Sequence, residues 1–275
     1  MVPFHGFLQN FPYICIMDPI VLDQLTIGYT GRRHTPHVVA SDLQATLPAG
    51  RLTCLIGANG VGKSTLLRTL AGFQPPLAGQ VFLQGRPART LSSHDYARQV
   101  AVVLTRRPEV YHLSVAELVG LGRTPYTGFW GTLSAADRSV VARALSLAGI
   151  ASLASRSVGT LSDGECQKLM IAKALAQQTP VILLDEPTAF LDFPSKVETL
   201  HMLRCLAHDM GKAILLSTHD VQLALQAADG LWLLQLGGSL AVGTPRNLAD
   251  AGVLGRFLHG EGVSFHADTL TLQMG

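Results

Sequence analysis

Short apolar runs recur along this 275-residue chain and predict a series of buried strands. Each run is too short for a typical helix and is bounded by turn-forming residues. The predicted strands cover residues 21–29, 43–47, 51–56, 80–84, 100–104, 181–184, 213–217 and 231–236. Apolar residues at helical spacing predict helices beginning near 63 and 91, and at 166–178, 195–210 and 221–228. Alternation of strands with helices predicts an α/β fold.

An all-helical stretch interrupts this alternation between residues 114 and 178. Ser114 is followed three residues later by Glu117, and Ser134 by Asp137. Each pair forms a capping-box pattern that marks the N-terminus of a helix. A helical insert within an α/β core is therefore expected.

The two ends of the chain carry weaker patterns. Residues 1–16 are apolar and aromatic but lack the basic start and cleavage site of a signal peptide. Met17 looks like an ordinary start, so residues 1–16 are interpreted as a possible N-terminal extension. The predicted division is a single domain at 17–246, comprising a core of 17–107 and 180–246 and an insert at 108–179, and a C-terminal tail at 247–275.

Composition and charge argue against several kinds of partner and site. The formal net charge of +2 is too small to indicate a nucleic-acid partner. Apolar residues make up 48% of the chain, which strands buried on both faces of a sheet would explain. No apolar run reaches the length of about 18 residues that predicts a transmembrane helix. The four cysteines lie far apart, so neither a disulfide framework nor a zinc site is expected.

The first motif with a specific chemical role follows the strand predicted at 51–56. It reads G-x-x-x-x-G-K-S, the pattern of a loop that holds phosphates. Its glycines allow tight turns that aim backbone N–H groups at an anion, towards which the following helix dipole also points. Lys63 is expected to reach the β- and γ-phosphates and Ser64 to ligate Mg²⁺. The predicted binding residues are Gly57, Ala58, Asn59, Gly60, Val61, Gly62, Lys63, Ser64 and Thr65.

Two carboxylates end the apolar strand predicted at 181–184. In α/β sheets, ligands bind beyond the carboxyl ends of the strands. Asp185 is expected to hold Mg²⁺, directly or through water. Glu186 is expected to orient or deprotonate an attacking water.

A third motif, LSDGE at residues 161–165, precedes the helix predicted at 166–178. With these three motifs in this order, the chain resembles the ATP-binding subunits of ABC transporters, whose signature is LSGGQ. The resemblance extends from about residue 22 to 244 and implies a P-loop NTPase (RecA-like) core with an antiparallel β subdomain and an inserted α-helical subdomain. It further implies that Tyr29 stacks on adenine, Asp192 belongs to the D-loop and His219 contacts the γ-phosphate.

Two departures from the family pattern affect the expected chemistry. Thr105 stands where the family has a Mg²⁺-sensing glutamine, so that contact would be rebuilt through water or lost. In the signature, Asp163 replaces a glycine and Glu165 a glutamine, which adds negative charge near a phosphate-facing helix end.

The resemblance implies a head-to-tail homodimer in the ATP state. Each ATP would lie between the phosphate loop of one chain and the signature of the other, and the signature residues would be Ser162, Asp163, Gly164 and Glu165. Hydrolysis would use Lys63, Glu186 and His219 and would reopen the dimer.

The insert resembles the iron-chelate branch of importers, which includes siderophore, haem and cobalamin systems. That implies integral membrane permease subunits as partners, a substrate-binding protein as an indirect partner, and a peripheral position on the cytoplasmic face of the inner (cell) membrane. The aromatic side chains of the insert either dock the permease or pack its own core; they are Tyr111, Tyr126, Phe129 and Trp130. Alternatives are the ATPase subunit of another ABC transporter and a non-transport ABC ATPase.

Overall fold

The computed structural model describes residues 18–30, 35–104, 110, 112–259 and 263–274. The possible N-terminal extension at 1–16, Thr105 and Tyr111 lie outside the described residues.

After three successive strands, single strands or pairs of strands alternate with one to three helices. The strands are β1 (Ile20–Thr30), β2 (Pro36–Leu47), β3 (Arg51–Gly57), β4 (Ala78–Leu83), β5 (Arg86–Pro87), β6 (Val100–Val103), β7 (Val181–Leu184), β8 (Ala213–Ser217), β9 (Gly230–Leu234), β10 (Leu240–Gly243), β11 (Val263–His266) and β12 (Thr271–Met274). The helices are α1 (Lys63–Leu70), α2 (Ser93–Ala97), α3 (Val115–Gly120), α4 (Ala135–Leu147), α5 (Asp163–Ala176), α6 (Phe193–Met210), α7 (Val221–Ala227), α8 (Pro245–Asp250) and α9 (Val253–Leu258).

A six-stranded sheet with the order β10-β9-β3-β8-β7-β6 forms the centre of the molecule. All neighbours are parallel except β10, which runs antiparallel to β9. Along β3, Cys54 and Ile56 belong to the core on one face, whereas Leu55 belongs to the core on the other. Burial on both faces accounts for the high apolar content of the chain.

A second, antiparallel sheet with the order β2-β1-β4-β5 covers one of these cores together with α1. Strand β2 begins at Pro36, so His37 pairs with Tyr29 of β1. Residues 36 and 37 thus extend β2 along the end of β1.

Helices α3, α4 and α5 follow one another between strands β6 and β7. Both predicted capping boxes are present, at the starts of α3 and α4. Helix α5 begins at Asp163, three residues before the predicted start, because the side chain of Ser162 caps it.

Residues 245–259 and 263–274 contain structure that the sequence pattern does not indicate. Leu254 of α9 is fully buried and belongs to the same core as β3. In the hairpin β11–β12, Leu272 N donates to Gln222 Oε1 of α7 at 2.9 Å. The hairpin therefore contacts the helix that follows β8. The boundary at residue 246 stays a prediction.

Among the helices of the described ranges, none combines the length and the hydrophobicity needed to cross a bilayer.

Candidate active site

The phosphate loop connects β3 to α1 and depends on glycine at two close approaches. Gly62 caps α1 with a φ of 116°, and a Cβ there would lie 2.4 Å from Val39 Cγ1. A Cβ on Gly57 would lie 2.7 Å from Leu234 O. Neither position has room for a larger side chain. Strands β2 and β9 thus constrain the loop at the N-terminus of an eight-residue helix, an arrangement suited to an anion.

Lys63 lies across this loop. Its Nζ donates to Gly57 O at 2.8 Å and to Ala58 O at 3.1 Å, and the residue is buried. Burial lowers the pKa of Lys63, while the nearby carboxylates of Glu186 and Asp185 oppose that shift. The ammonium is therefore hydrogen-bonded to the loop, and the two carboxylates are near enough to favour its charged form.

Asp185 lies just beyond the end of β7 and faces two hydroxyl groups. Its Oδ1 accepts from Ser217 Oγ at 2.8 Å and from Ser64 Oγ at 3.3 Å. Oxygen donors of this kind suit Mg²⁺, which prefers carboxylate and hydroxyl oxygens together with substrate phosphates. The hydroxyl of Ser64 and the carboxylate of Asp185 therefore fit the expected Mg²⁺ ligands in position and chemistry.

Glu186 has an unusual backbone conformation, with a φ of 49°. Its N–H donates to Ser217 Oγ at 2.9 Å, and its Oε1 lies 2.6 Å from His219 Nε2. A carboxylate can only accept, so this contact requires the proton of His219 to be on Nε2. The ends of β7 and β8 thus bring Asp185, Glu186 and His219 together around one serine.

Tyr29 ends β1 beside the phosphate loop. Its hydroxyl lies 2.7 Å from Thr65 Oγ1. The ring is 48% exposed and parallel to that of His37, with centroids 6.1 Å apart and planes at 6°. An exposed aromatic face is therefore available near the loop, as stacking on a base requires.

The signature residues form the first turn of α5. Ser162 Oγ accepts from Glu165 N at 3.2 Å, and Glu165 Oε2 accepts from Ser162 N at 2.8 Å. Asp163 and Gly164 occupy the first two helical positions. The replacement of glutamine by Glu165 thus preserves a complete capping box.

Asp192 lies at the start of α6 and caps it. Its Oδ1 accepts from Ser195 N at 3.1 Å. The hydrogen bonds from Ser195 lower the pKa of Asp192. In the same region, Lys196 Nζ lies 3.2 Å from Asp220 Oδ2, so the start of α6 is tied to the residue after His219.

The aromatic residues of the insert divide into two groups. Phe129 is 96% exposed and Trp130 87% exposed, so the alternative that they pack the insert's core is wrong. Tyr126 instead lies between two guanidinium groups, 5.0 Å from Arg98 and 4.0 Å from Arg123. Tyr126, which is 37% exposed, therefore packs its ring against two arginines, whereas the other two side chains are almost fully exposed.

Two residues that hold these groups in place were not predicted as site residues. Ser217 is one of them, and its hydroxyl contacts both carboxylate residues. Arg156, which pairs with Glu165 at 3.2 Å, was not singled out. A basic residue nine positions before an unexpected glutamate is a signal that could have identified Arg156.

Known proteins of one family resemble this chain in sequence and in fold. Residues 40–189 match the family model described as ABC transporter. The achromobactin transport ATP-binding protein of Dickeya dadantii is 38% identical over 234 residues, 85% of each chain. The iron(3+)-hydroxamate import ATP-binding protein of Bacillus subtilis is 38% identical over 229 residues, 83% of each chain. A solved metal-chelate type ABC transporter in an inward-facing conformation superposes with a TM-score of 0.75 and 24% identity, covering 94% of this chain and 97% of that one.

Proposed function

The chain belongs to the ABC transporter family, and we propose that it hydrolyses ATP to power import of a chelate through a membrane permease. The cargo class is an iron chelate, namely a ferric siderophore or haem, or else cobalamin. Relatives named for achromobactin and iron(3+)-hydroxamate transport support this class. The observation that carries the proposal is the set of hydrogen bonds that join Asp185 to Ser64 of the phosphate loop and to Ser217, whose hydroxyl also accepts from the backbone of Glu186.

In the proposed mechanism, the loop holds the phosphates of ATP. Backbone N–H groups at the start of α1 and the ammonium of Lys63 offset their negative charge. Ser64 and Asp185 would hold Mg²⁺, which supplies further positive charge at the phosphates when bound. Tyr29 offers its exposed ring to the base.

Glu186 and His219 act on the attacking water. A carboxylate at the end of β7 can orient the water and accept its proton. Because His219 Nε2 contacts Glu186 Oε1 at 2.6 Å, the imidazole fixes the position of this base and carries a proton close to it. In this proposal, His219 also contacts the γ-phosphate of ATP.

A second copy completes the site. Ser162 and Gly164 begin a 14-residue helix, whose N-terminus can face the γ-phosphate of a partner chain. ATP then holds two copies head to tail, and its hydrolysis weakens the contact. Asp192, at the start of α6, belongs to the same proposed interface.

The free energy of ATP hydrolysis drives conformational change in permease subunits in the membrane. Phe129 and Trp130 project from the insert with their rings 5.4 Å apart, and exposed aromatic residues of this kind are common anchors at protein interfaces. The protein would lie peripherally at the cytoplasmic face of the cell membrane, where a substrate-binding protein supplies cargo to the permease from the other side.

The decisive experiment compares ATP turnover of the wild type with that of Glu186→Gln, each reconstituted with its permease. Turnover should fall at least about 100-fold, while binding of ATP is retained, because the amide cannot accept the proton. Uptake of ferric siderophore, haem and cobalamin then identifies the cargo. Equal inactivity of both proteins would overturn the enzyme assignment, and hydrolysis without uptake of any of the three would overturn the cargo class.

A further inference from the structure

Arg156 connects the acidic signature to the loop that precedes it. Arg156 Nη1 donates to Glu165 Oε1 at 3.2 Å, and Nη2 donates to Thr160 O at 2.7 Å. The other carboxylate oxygen of Glu165 accepts from Ser162 N at 2.8 Å. One carboxylate therefore joins the guanidinium to the helix cap.

The backbone around Arg156 is fixed to the start of α3. Val115 N donates to Arg156 O at 2.9 Å, and Ala116 N donates to Ala154 O at 2.9 Å. Just after the arginine, Val158 N donates to Leu113 O at 3.0 Å. The fold itself therefore positions the guanidinium next to the signature.

This ion pair contributes little to the stability of the fold. The side chains of Arg156 and Glu165 are 42% and 31% exposed, and ion pairs exposed to this extent add little to stability because water screens them. The hydrogen bond from the backbone of Ser162 lowers the pKa of Glu165. The carboxylate is therefore ionised at neutral pH, at the helix end that the proposed function assigns to a phosphate.

We propose that Arg156 is a positioning residue. It allows a signature that contains Glu165 to bind a nucleoside triphosphate held by a second copy of the chain. Its guanidinium offsets the charge of Glu165 and keeps that carboxylate within the capping box. Without it, an uncompensated negative charge would face the γ-phosphate and repel it. This inference rests on the proposed function, in which ATP is held between two chains.

The test measures the ATP concentration that gives half-maximal dimer, by sedimentation velocity with Mg²⁺ in the Glu186→Gln background, where ATP persists. Adding Arg156→Met retains the apolar stem and removes the charge, and should raise this midpoint about tenfold at low salt. Adding Glu165→Gln as well should restore the midpoint to within about twofold, because glutamine can also complete a capping box.

Two controls and one substitute variant separate an effect of charge from an effect on folding. Arg246→Met breaks an exposed pair with Asp250 on α8 and should leave the midpoint unchanged. Raising the salt concentration should shrink the defect of Arg156→Met, since screening weakens charge repulsion but not a packing fault. Should Arg156→Met fail to fold, Glu165→Gln alone carries the test, because it should lower the midpoint about threefold at low salt.

Several results would overturn the inference. One is an ATP midpoint that Arg156→Met leaves unchanged. Another is a raised midpoint in Arg156→Met that the addition of Glu165→Gln does not lower again. If Glu165→Gln is tested alone, the third is a midpoint that does not fall. If the parent protein does not dimerise with ATP, the proposed two-chain site fails together with this inference. That outcome is recognisable because Arg156 is intact in the parent.

Discussion

Replacing Ser217 with alanine tests how the two carboxylate residues are held. Ser217 is fully buried, and its hydroxyl donates to Asp185 Oδ1 at 2.8 Å and accepts from Glu186 N at 2.9 Å. Alanine fills nearly the same space but makes neither contact. The N–H of Glu186 then loses its acceptor in a partly buried setting, and the carboxylate of Asp185 loses this donor.

The expected cost follows from these two contacts. Leaving a buried N–H unsatisfied costs about 1 to 3 kcal/mol, and a hydrogen bond to a charged group contributes about 1.5 to 3 kcal/mol. Since the φ of 49° at Glu186 is itself strained, the backbone is also free to relax once its hydrogen bond is gone. We expect the free energy of unfolding to fall by about 2 to 4 kcal/mol. Turnover of ATP should fall at least about tenfold, because each 1.4 kcal/mol of lost transition-state stabilisation is a factor of ten.

Urea denaturation and steady-state ATP hydrolysis measure the two effects. Ser139→Ala is the matched control, because Ser139 is exposed on α4 and its loss should change the free energy of unfolding by less than about 0.5 kcal/mol. Ser217 would not hold the two carboxylate residues in this way if Ser217→Ala unfolded within about 0.5 kcal/mol of the wild type and hydrolysed ATP at more than about half its rate.

Three further predictions follow from individual contacts. Gly62→Ala should lower ATP affinity at least about tenfold in equilibrium titration, because its Cβ would lie 2.4 Å from Val39 Cγ1; affinity within about twofold of the wild type would contradict this. Hydrogen bonds from Ser134 and Arg123 lower the pKa of Asp137 from 3.8 to about 2. The stabilisation from the ionised Asp137 carboxylate is present above pH 3.8 and is lost as the pH falls towards 2. The urea midpoint of Asp137→Asn should therefore change less with pH in that range than the midpoint of the wild type. An equal change of both midpoints with pH would contradict this expectation. Combining Phe129→Ser with Trp130→Ser should leave the free energy of unfolding within about 0.5 kcal/mol, because both rings are exposed, but should reduce co-purification with the permease; undiminished co-purification would exclude them as anchors.

The α/β core was predictable because its strands are short apolar runs with sharp ends. Strands β7 and β8 have the predicted bounds, and the predicted fold class is confirmed by the family match and the solved structures. Residues 245–274 were not predicted, since the hairpin β11–β12 depends on contacts with distant residues such as Gln222. The start of α8 carried a usable signal, because Thr244 caps it and Pro245 occupies its first turn.

The candidate site was predictable as a set of residues but not as a set of contacts. Motif order indicated Lys63 and Asp185, and the structure places both at the phosphate loop. The hydrogen bonds of Ser217 were not predictable, because a serine that ends a strand has many possible partners until the neighbouring strands are known. The roles assigned to the individual site residues stay predictions until the variants are measured.

The pairing of β3 with β8 has a consequence for synthesis of the chain. Arg51 of β3 lies beside Ala213 of β8, so the strand before the phosphate loop gains this neighbour only after about 160 further residues have been translated. At typical rates of about 5 to 20 residues per second, that interval lasts on the order of ten seconds or more. During it, the apolar strand β3 lacks this pairing, and the nascent chain is exposed to chaperones and to aggregation. Synonymous codon changes that slow translation between residues 57 and 213 should therefore lower the yield of folded protein more than changes that slow it before residue 51.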